Sequence, residues 1–267
     1  MKFLDAKGQQ ETFDTEQKHF NIAFNADCMN FMKNIPDNYF SLCVVDPPYG
    51  DAGNGDRGGR NLCGRFERYQ MEQVRPAVRQ VQTPFLDSPS PDKNGGGVER
   101  TGGTLAAKYN KKIIAWDVAP QKEYFDELFR ISRNQIIWGG NYFSLPPTRC
   151  FLIWKKLTIS ESFSMAMAEY AWTSFNSNAK VFEYAPQGKK EDPRFHPTQK
   201  PVALYRWIFQ HYAKAGDKIL DTHLGSGSSR IAAYEAGLDF VGCEIDKEYF
   251  DKQEERFQAF TDQLRLF

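Results

Sequence analysis

Apolar residues in this chain of 267 residues fall into short runs that alternate with amphipathic stretches. "FNIAF" (20–24) is a short apolar run. In "DCMNFMKNI", which follows, Met29 and Met32, and Phe31 and Ile35, recur at helical spacing. "SLCVV" (41–45) is a β-branched run suited to a buried parallel strand. The pattern reads strand, helix, strand. It resumes with "DVAPQKEYFDELFRIS", a predicted helix with Pro120 near its first turn and Phe125, Leu128 and Phe129 on one face. "NQIIWGGNYF", "CFLIWKK", "AEYAWTSF" and "AKVFEYA" predict four strands, with hairpins where the connections are short. "HPTQKPVALYRWIFQHYAKAG" predicts a helix opened by prolines. The segment from Asp217 to Phe257 reads strand, glycine loop, helix, strand, acidic turn, helix. Parallel strands alternating with helices predict an α/β fold: one doubly wound, mostly parallel, Rossmann-like sheet with an antiparallel hairpin.

Residues 51–110 break this regularity. "DAGNGDRGGRNLCGRFERYQ" and "SPDKNGGGVERTGG" are rich in glycine and arginine, with one short helix predicted in "ERYQMEQVRPAVRQV". Nine Arg/Lys face seven Asp/Glu between Asp51 and Lys108, a local excess of positive charge in a chain whose net charge is zero. A nucleic-acid partner must therefore be met by a local basic surface, since the whole chain offers none. We read 1–267 as a single domain with 51–110 as an insertion. The five cysteines are scattered without Cys-x-x-Cys, as expected of free thiols in a reducing cytoplasm. No signal peptide and no run of 18 apolar residues is present, so no membrane partner is expected. The four histidines have no ligand spacing with the cysteines, and no metal site is predicted.

Candidate chemistry gathers at three places. In "ILDTHLGSGSSRIAA", Gly225 and Gly227 sit where a strand turns into a helix and let backbone approach a ligand. Glu244 ends the next strand, 19 residues after Gly225, at the offset of an acid that binds ribose hydroxyls. Asp221, at the strand tip, is an acceptor for an ammonium. A tight packing turn is the other reading of the two glycines. In "HPTQKP", His196, Thr198 and Lys200 lie near a predicted helix N-terminus, where a carboxylate is favoured. Alone, that stretch also reads as an ordinary helix start. "DPPYG" (46–50) puts a carboxylate, two prolines and an aromatic ring directly after a buried strand.

A ribose, an ammonium and a carboxylate together describe S-adenosylmethionine. "DPPYG", then "HPTQKP", then "DTHLGSGSS" with Glu244 resembles the amino-methylating DNA methyltransferases. The catalytic strand precedes the cofactor strand, as in their circularly permuted β-group. "WGGNYF" and "AEYAWTSF" extend the likeness over roughly 20–49 and 113–257. The resemblance implies that Asp46 and the Pro47 carbonyl, in the turn set by Pro48, accept hydrogens of the target amine and that Tyr49 stacks on a flipped base. It implies that Asp221, Gly225, Gly227 and Ser228 line the methionine side of the cofactor and that Glu244 holds its ribose. His196, Thr198 and Lys200 would face the cofactor carboxylate. Asp27, in "NADC", either contacts the adenine of the cofactor or simply caps a helix.

The chain departs from the family at "DTH", where "DPF" is usual. Only 20 residues, Asn176 to Phe195, occupy the usual target-recognition position. The segment 51–110 is then the candidate DNA reader, with Arg57, Arg60, Arg65 and Arg68 as contacts. The implied activity is methylation of adenine N6 in double-stranded DNA at a specific site, in a restriction-modification setting. The alternatives are cytosine N4, an RNA or protein amide, and a NAD-binding oxidoreductase. The last five residues, Gln263 to Phe267, resemble peptides that dock on a bacterial sliding clamp, though a terminal helix packing on its own domain is the other reading. A homodimer stays open.

Overall fold

The computed structural model describes residues 1–17, 19–50, 118–160, 166–186 and 193–264. Residues 1–50 and 116–267 form one unit. The insertion 51–110, its predicted helix, Arg57, Arg60, Arg65, Arg68, and the terminal Arg265, Leu266 and Phe267 lie outside the described residues. Gln263 lies in the last helix.

The N-terminus forms a small antiparallel pair, β1 (Lys2–Leu4) and β2 (Gln10–Thr12), which the sequence pattern did not predict. The main sheet begins with β3 (Asn21–Phe24), followed by helix α1 (Cys28–Met32) and β4 (Phe40–Val45). After the insertion come α2 (Lys122–Ile131), β5 (Ser132–Trp138), β6 (Phe151–Lys156), β7 (Ala168–Thr173) and β8 (Lys180–Tyr184). The chain closes with α3 (Val202–Tyr212), β9 (Lys218–Asp221), α4 (Ser228–Glu235), β10 (Asp239–Cys243) and α5 (Lys247–Leu264). No helix of the described residues is long and apolar enough to cross a membrane.

The eight strands are ordered β3-β10-β9-β4-β5-β7-β6-β8. The run from β3 through β5 is parallel throughout. β7 inserts antiparallel between β5 and β6, so β6 and β7 form the expected antiparallel pair. The short link from β7 to β8 is not a hairpin. β8 instead crosses to the outer edge and pairs parallel with β6. The strand order reverses between β9 and β4, and in open α/β sheets ligands bind beyond the carboxyl ends of the strands at such a reversal. "DPPYG" leaves β4 and the glycine loop leaves β9, so both open onto that one crevice.

Both sheet faces are covered, which explains the continuous apolar runs. Cys43 and Val45 of β4 face one cluster with Leu128 and Ile131 of α2; Leu42 and Val44 face another with Leu204 and Ile208 of α3. The first cluster is built from aromatics. Phe31 is fully buried, with ring centroids 5.2 Å from Phe3 and 5.8 Å from both Phe13 and Phe24. The N-terminal strand pair thus serves to seat Phe3, with Phe13 just beyond it, over α1. Phe31→Ala removes the ring at the centre of this group. It is expected to cost on the order of 3–5 kcal/mol in urea unfolding; a loss under about 1 kcal/mol would show that the cluster closes around the gap.

Candidate active site

Asp46 follows directly on β4, and its side chain is 14 % exposed. Tyr49 donates its hydroxyl to Asp46 Oδ1 at 2.9 Å. Lys200 Nζ donates to Asp46 Oδ2. Both carboxylate oxygens are therefore engaged. Lys200 also lies 3.2 Å from Glu169 Oε2, and Glu169 Oε1 lies 2.7 Å from Lys156 Nζ. Burial, helped by the Glu169 charge, holds the Asp46 carboxyl above its ordinary pKa even though Lys200 and Tyr49 pull it down. For Lys200 burial opposes the charge, but Asp46 and Glu169 outweigh it and hold the ammonium above its ordinary pKa. Glu169 is likewise burdened by burial yet held below the usual carboxylate value by Lys200 and Lys156. Asp46 and Lys200 thus form a salt bridge largely removed from water.

Tyr49 is positioned from behind by "WGG". Gly139 has φ +67°, and a Cβ there would stand 2.1 Å from Tyr49 Cε1. Only glycine meets both demands. A Cβ on the other glycine, Gly140, would stand 2.4 Å from Trp172 Cβ. Tyr142, in the 3-10 turn Gly140–Tyr142, stacks on Tyr49 with centroids 4.6 Å apart and planes 14° apart. In this structure the Tyr49 ring already has a stacking partner.

On the β9 side, Asp221 accepts from Ser229 Oγ at 2.6 Å and from the His223 N–H at 3.1 Å. Glu244 accepts from the Gly225 N–H and the Asp246 N–H, each at 2.8 Å. Burial pushes both carboxyls up to about 7, against these hydrogen bonds. Each carboxylate keeps lone pairs for a further donor. Gly225 has φ +53°, and a Cβ there would lie 3.3 Å from the His196 ring. Loop and "HPTQKP" turn therefore close on each other.

The remaining predicted residues are placed as follows. Lys200 was expected at a helix N-terminus facing a carboxylate of the cofactor. Its ammonium is instead drawn to Asp46 and Glu169, and α3 begins only at Val202, with Pro201 at its N-cap. Thr198 gives its hydroxyl and N–H to His196 Nδ1, at 3.1 and 3.3 Å. His196 is buried against Tyr249, and burial pushes it down to about 3, so it is neutral. Ser228 turns its hydroxyl to Ser226 and Arg256. Asp27 caps α1 through Met29 and Asn30 N–H groups. The unusual "DTH" is answered by Tyr124, whose hydroxyl meets Thr222 Oγ1 at 2.6 Å, with His223 Nδ1 2.9 Å beyond. Burial holds His223 down to about 4.

Sequence reasoning missed Glu169, Ser229 and Tyr142. Ser229 stands next to the loop and was within reach of the pattern. Glu169 sits on a strand that reads simply as core. Among the described residues no group of three His, Cys, Asp or Glu is placed to hold a metal ion.

The family model described as DNA methylase matches residues 107–255. Among curated proteins, the chain is 24 % identical over 273 residues to the type II methyltransferase M2.MboI of Moraxella bovis, covering 95 % of this chain and 93 % of that one. It is 25 % identical over 262 residues to the type II methyltransferase M.BglII of Bacillus subtilis, covering 88 % and 68 %. Among solved structures, the M1.HpyAVI complex with S-adenosylmethionine aligns with a TM-score of 0.48 at 16 % identity, covering 88 % of this chain and 98 % of that one.

The buried groups set a pH dependence. Asp221 and Glu244 are protonated more readily folded than unfolded, so their contribution to stability falls as pH rises toward and through about 7. His196 and His223 act oppositely, but only below the unfolded histidine value of about 6.5. From about pH 6.5 to 8 the ligand-free protein is expected to lose stability in urea titrations, and Asp221→Asn to flatten that loss. A stability that rises over this window would contradict the assignment.

Proposed function

Because the chain belongs to the DNA methylase family, we propose that it transfers a methyl group from S-adenosylmethionine to the exocyclic N6 amino group of adenine in double-stranded DNA. The observation that carries this reading is Asp46: a buried carboxylate, paired with Lys200, beside Tyr49 at the point where the sheet order reverses. Aspartate ahead of the two prolines favours adenine, since relatives acting on cytosine N4 more often carry serine there. Family membership leaves the glycine loop no need of a NAD reading.

The cofactor side fits the chemistry of the residues present. Asp221 and Glu244 are buried carboxylates with free lone pairs, one suited to an ammonium and the other to ribose hydroxyls. Filling those places removes the penalty that burial imposes on both. S-adenosylmethionine supplies an electrophilic methyl group on sulfur. Everything else is supplied by the chain.

The amine of a base is a weak nucleophile because its lone pair is delocalised into the ring. Asp46 and the Pro47 carbonyl, as the two acceptors, hold its hydrogens and favour a pyramidal nitrogen with a directed lone pair. Alignment and fixed charge then provide the rate. The base leaves the duplex at a cost of a few kcal/mol, partly offset by stacking on Tyr49. Tyr142, 38 % exposed on a single turn, is the ring that gives way to it. No covalent intermediate is required, in keeping with Cys43, which is fully buried with its thiol pushed up to about 12. Reading of the DNA sequence is assigned to residues 51–110, with Arg57, Arg60, Arg65 and Arg68 on the phosphates.

Asp46→Ala tests the reading with isotopically labelled methyl donor and duplex DNA. Transfer is expected to fall to background while S-adenosylmethionine binding, followed by calorimetry, largely remains. Transfer at the wild-type rate would remove Asp46 from the mechanism.

A further inference from the structure

Asp46 and Lys200 place a carboxylate and an ammonium together out of water. A lysine with no other partner would hold that carboxylate against an incoming amine, because a charge-assisted hydrogen bond is stronger than a neutral one. The structure supplies a competitor. Glu169 Oε2 lies 3.2 Å from Lys200 Nζ, and the second Glu169 oxygen lies 2.7 Å from Lys156 Nζ. Charge alternates along Asp46, Lys200, Glu169 and Lys156. Their side chains are 14, 3, 26 and 7 % exposed, so solvent screens the row weakly. The row draws on the turn after β4, the turn before α3, β7 and β6. Among the described residues, the other titratable groups facing it are Tyr49, Tyr205 of α3, Asp221 at the end of β9, and His196 beside Lys200. With His196 neutral, none of these four is a cation.

We propose that Glu169 is a positioning residue for this site: by sharing the Lys200 ammonium, it loosens the hold of Lys200 on Asp46 Oδ2, so that a remaining lone pair of that carboxylate accepts a hydrogen of the target amine. This rests on the reading of Asp46 as the amine acceptor. Glu169 acts through Lys200 and touches neither the amine nor the methyl donor. Lys156 completes the row by keeping Glu169 ionised inside the sheet.

Two substitutions perturb the row in opposite senses. Glu169→Gln removes a negative charge at nearly constant size. Asp46 then ionises at lower pH, and Lys200 gives up its proton at lower pH. Lys156→Met removes a positive charge, and both ionisations move to higher pH. The Asp46 carboxyl is followed by carbon NMR during pH titration of the ligand-free protein, with Asp46→Asn assigning the signal. The pH profile of methyl transfer is measured on the same proteins.

In Glu169→Gln, the Asp46 titration and both limbs of the rate profile are expected to move down. Its kcat is expected to fall about tenfold to a hundredfold, with the Kd for S-adenosylmethionine within about twofold of wild type. Lys156→Met is expected to move the titration up, and it keeps the inference testable if Glu169→Gln fails to fold. Titrations that shift the same way in both variants, or in neither, would overturn the role of Glu169, as would an unchanged kcat in Glu169→Gln. A wild type that transfers no methyl group would overturn the amine-acceptor reading and this inference with it. A wild type that transfers while the variants titrate alike would overturn this inference alone.

Discussion

A carboxylate shielded from water at the carboxyl end of a central strand must be paired or protonated, and in this fold Lys200 is the partner of Asp46. An unpaired buried charge of this kind costs several kcal/mol. The partner arrives from 154 residues away in sequence, on the turn before α3. Lys200 can reach Asp46 only because β4 and β9 are neighbours and α3 feeds β9. The pair therefore depends on the topology, and the usefulness of the site depends on the pair. Glu169 and Lys156 extend the same compensation into the antiparallel strands.

The crevice joins two parts of different character. At the ends of β9 and β10 the acceptors are made easy to protonate by burial, with Asp221 and Glu244 pushed up to about 7. On β4 the acceptor is paired with a lysine. Three ionised carboxylates facing one crevice, Asp46, Asp221 and Glu244, would repel one another and any anionic ligand. Splitting them into a cation-paired group and two readily protonated ones relieves that repulsion. Asp221 and Glu244 then gain most from a ligand that brings its own positive charge and hydroxyl donors. The permuted order of the chain does not alter this. Strands β4 and β9 meet in the sheet whichever comes first in sequence.

What the sequence made legible was local. Runs such as "SLCVV" and "DKILD" read as buried strands because both faces of the sheet are covered. "DPPYG" and "DTHLGSGSS" read as site loops because prolines and glycines constrain the backbone at the ends of those runs. Glu244 was found by its offset from Gly225, and it does receive the Gly225 N–H. The rest depended on strand order. Glu169 matters because β7 inserts between β5 and β6, bringing it toward Lys200, and no periodicity in "AEYAWTSF" announces that. The helix start near Lys200 points toward a cofactor carboxylate, whereas the strand order brings its ammonium to Asp46 and Glu169. The β7–β8 link looked like a hairpin because it is short, yet β8 bonds to β6. Strands of three residues, as in β1 and β2, carry too few positions to show alternation.

Whether the crevice at Asp46 methylates an amino group of a base in DNA is decided by expressing the chain in cells free of DNA methylation and sequencing single genomic molecules for modified bases. N6-methyladenine confined to one sequence context is expected, and none when Asp46 is replaced. Genomic DNA without any modified base would contradict it, and N4-methylcytosine in place of N6-methyladenine would contradict the choice of adenine.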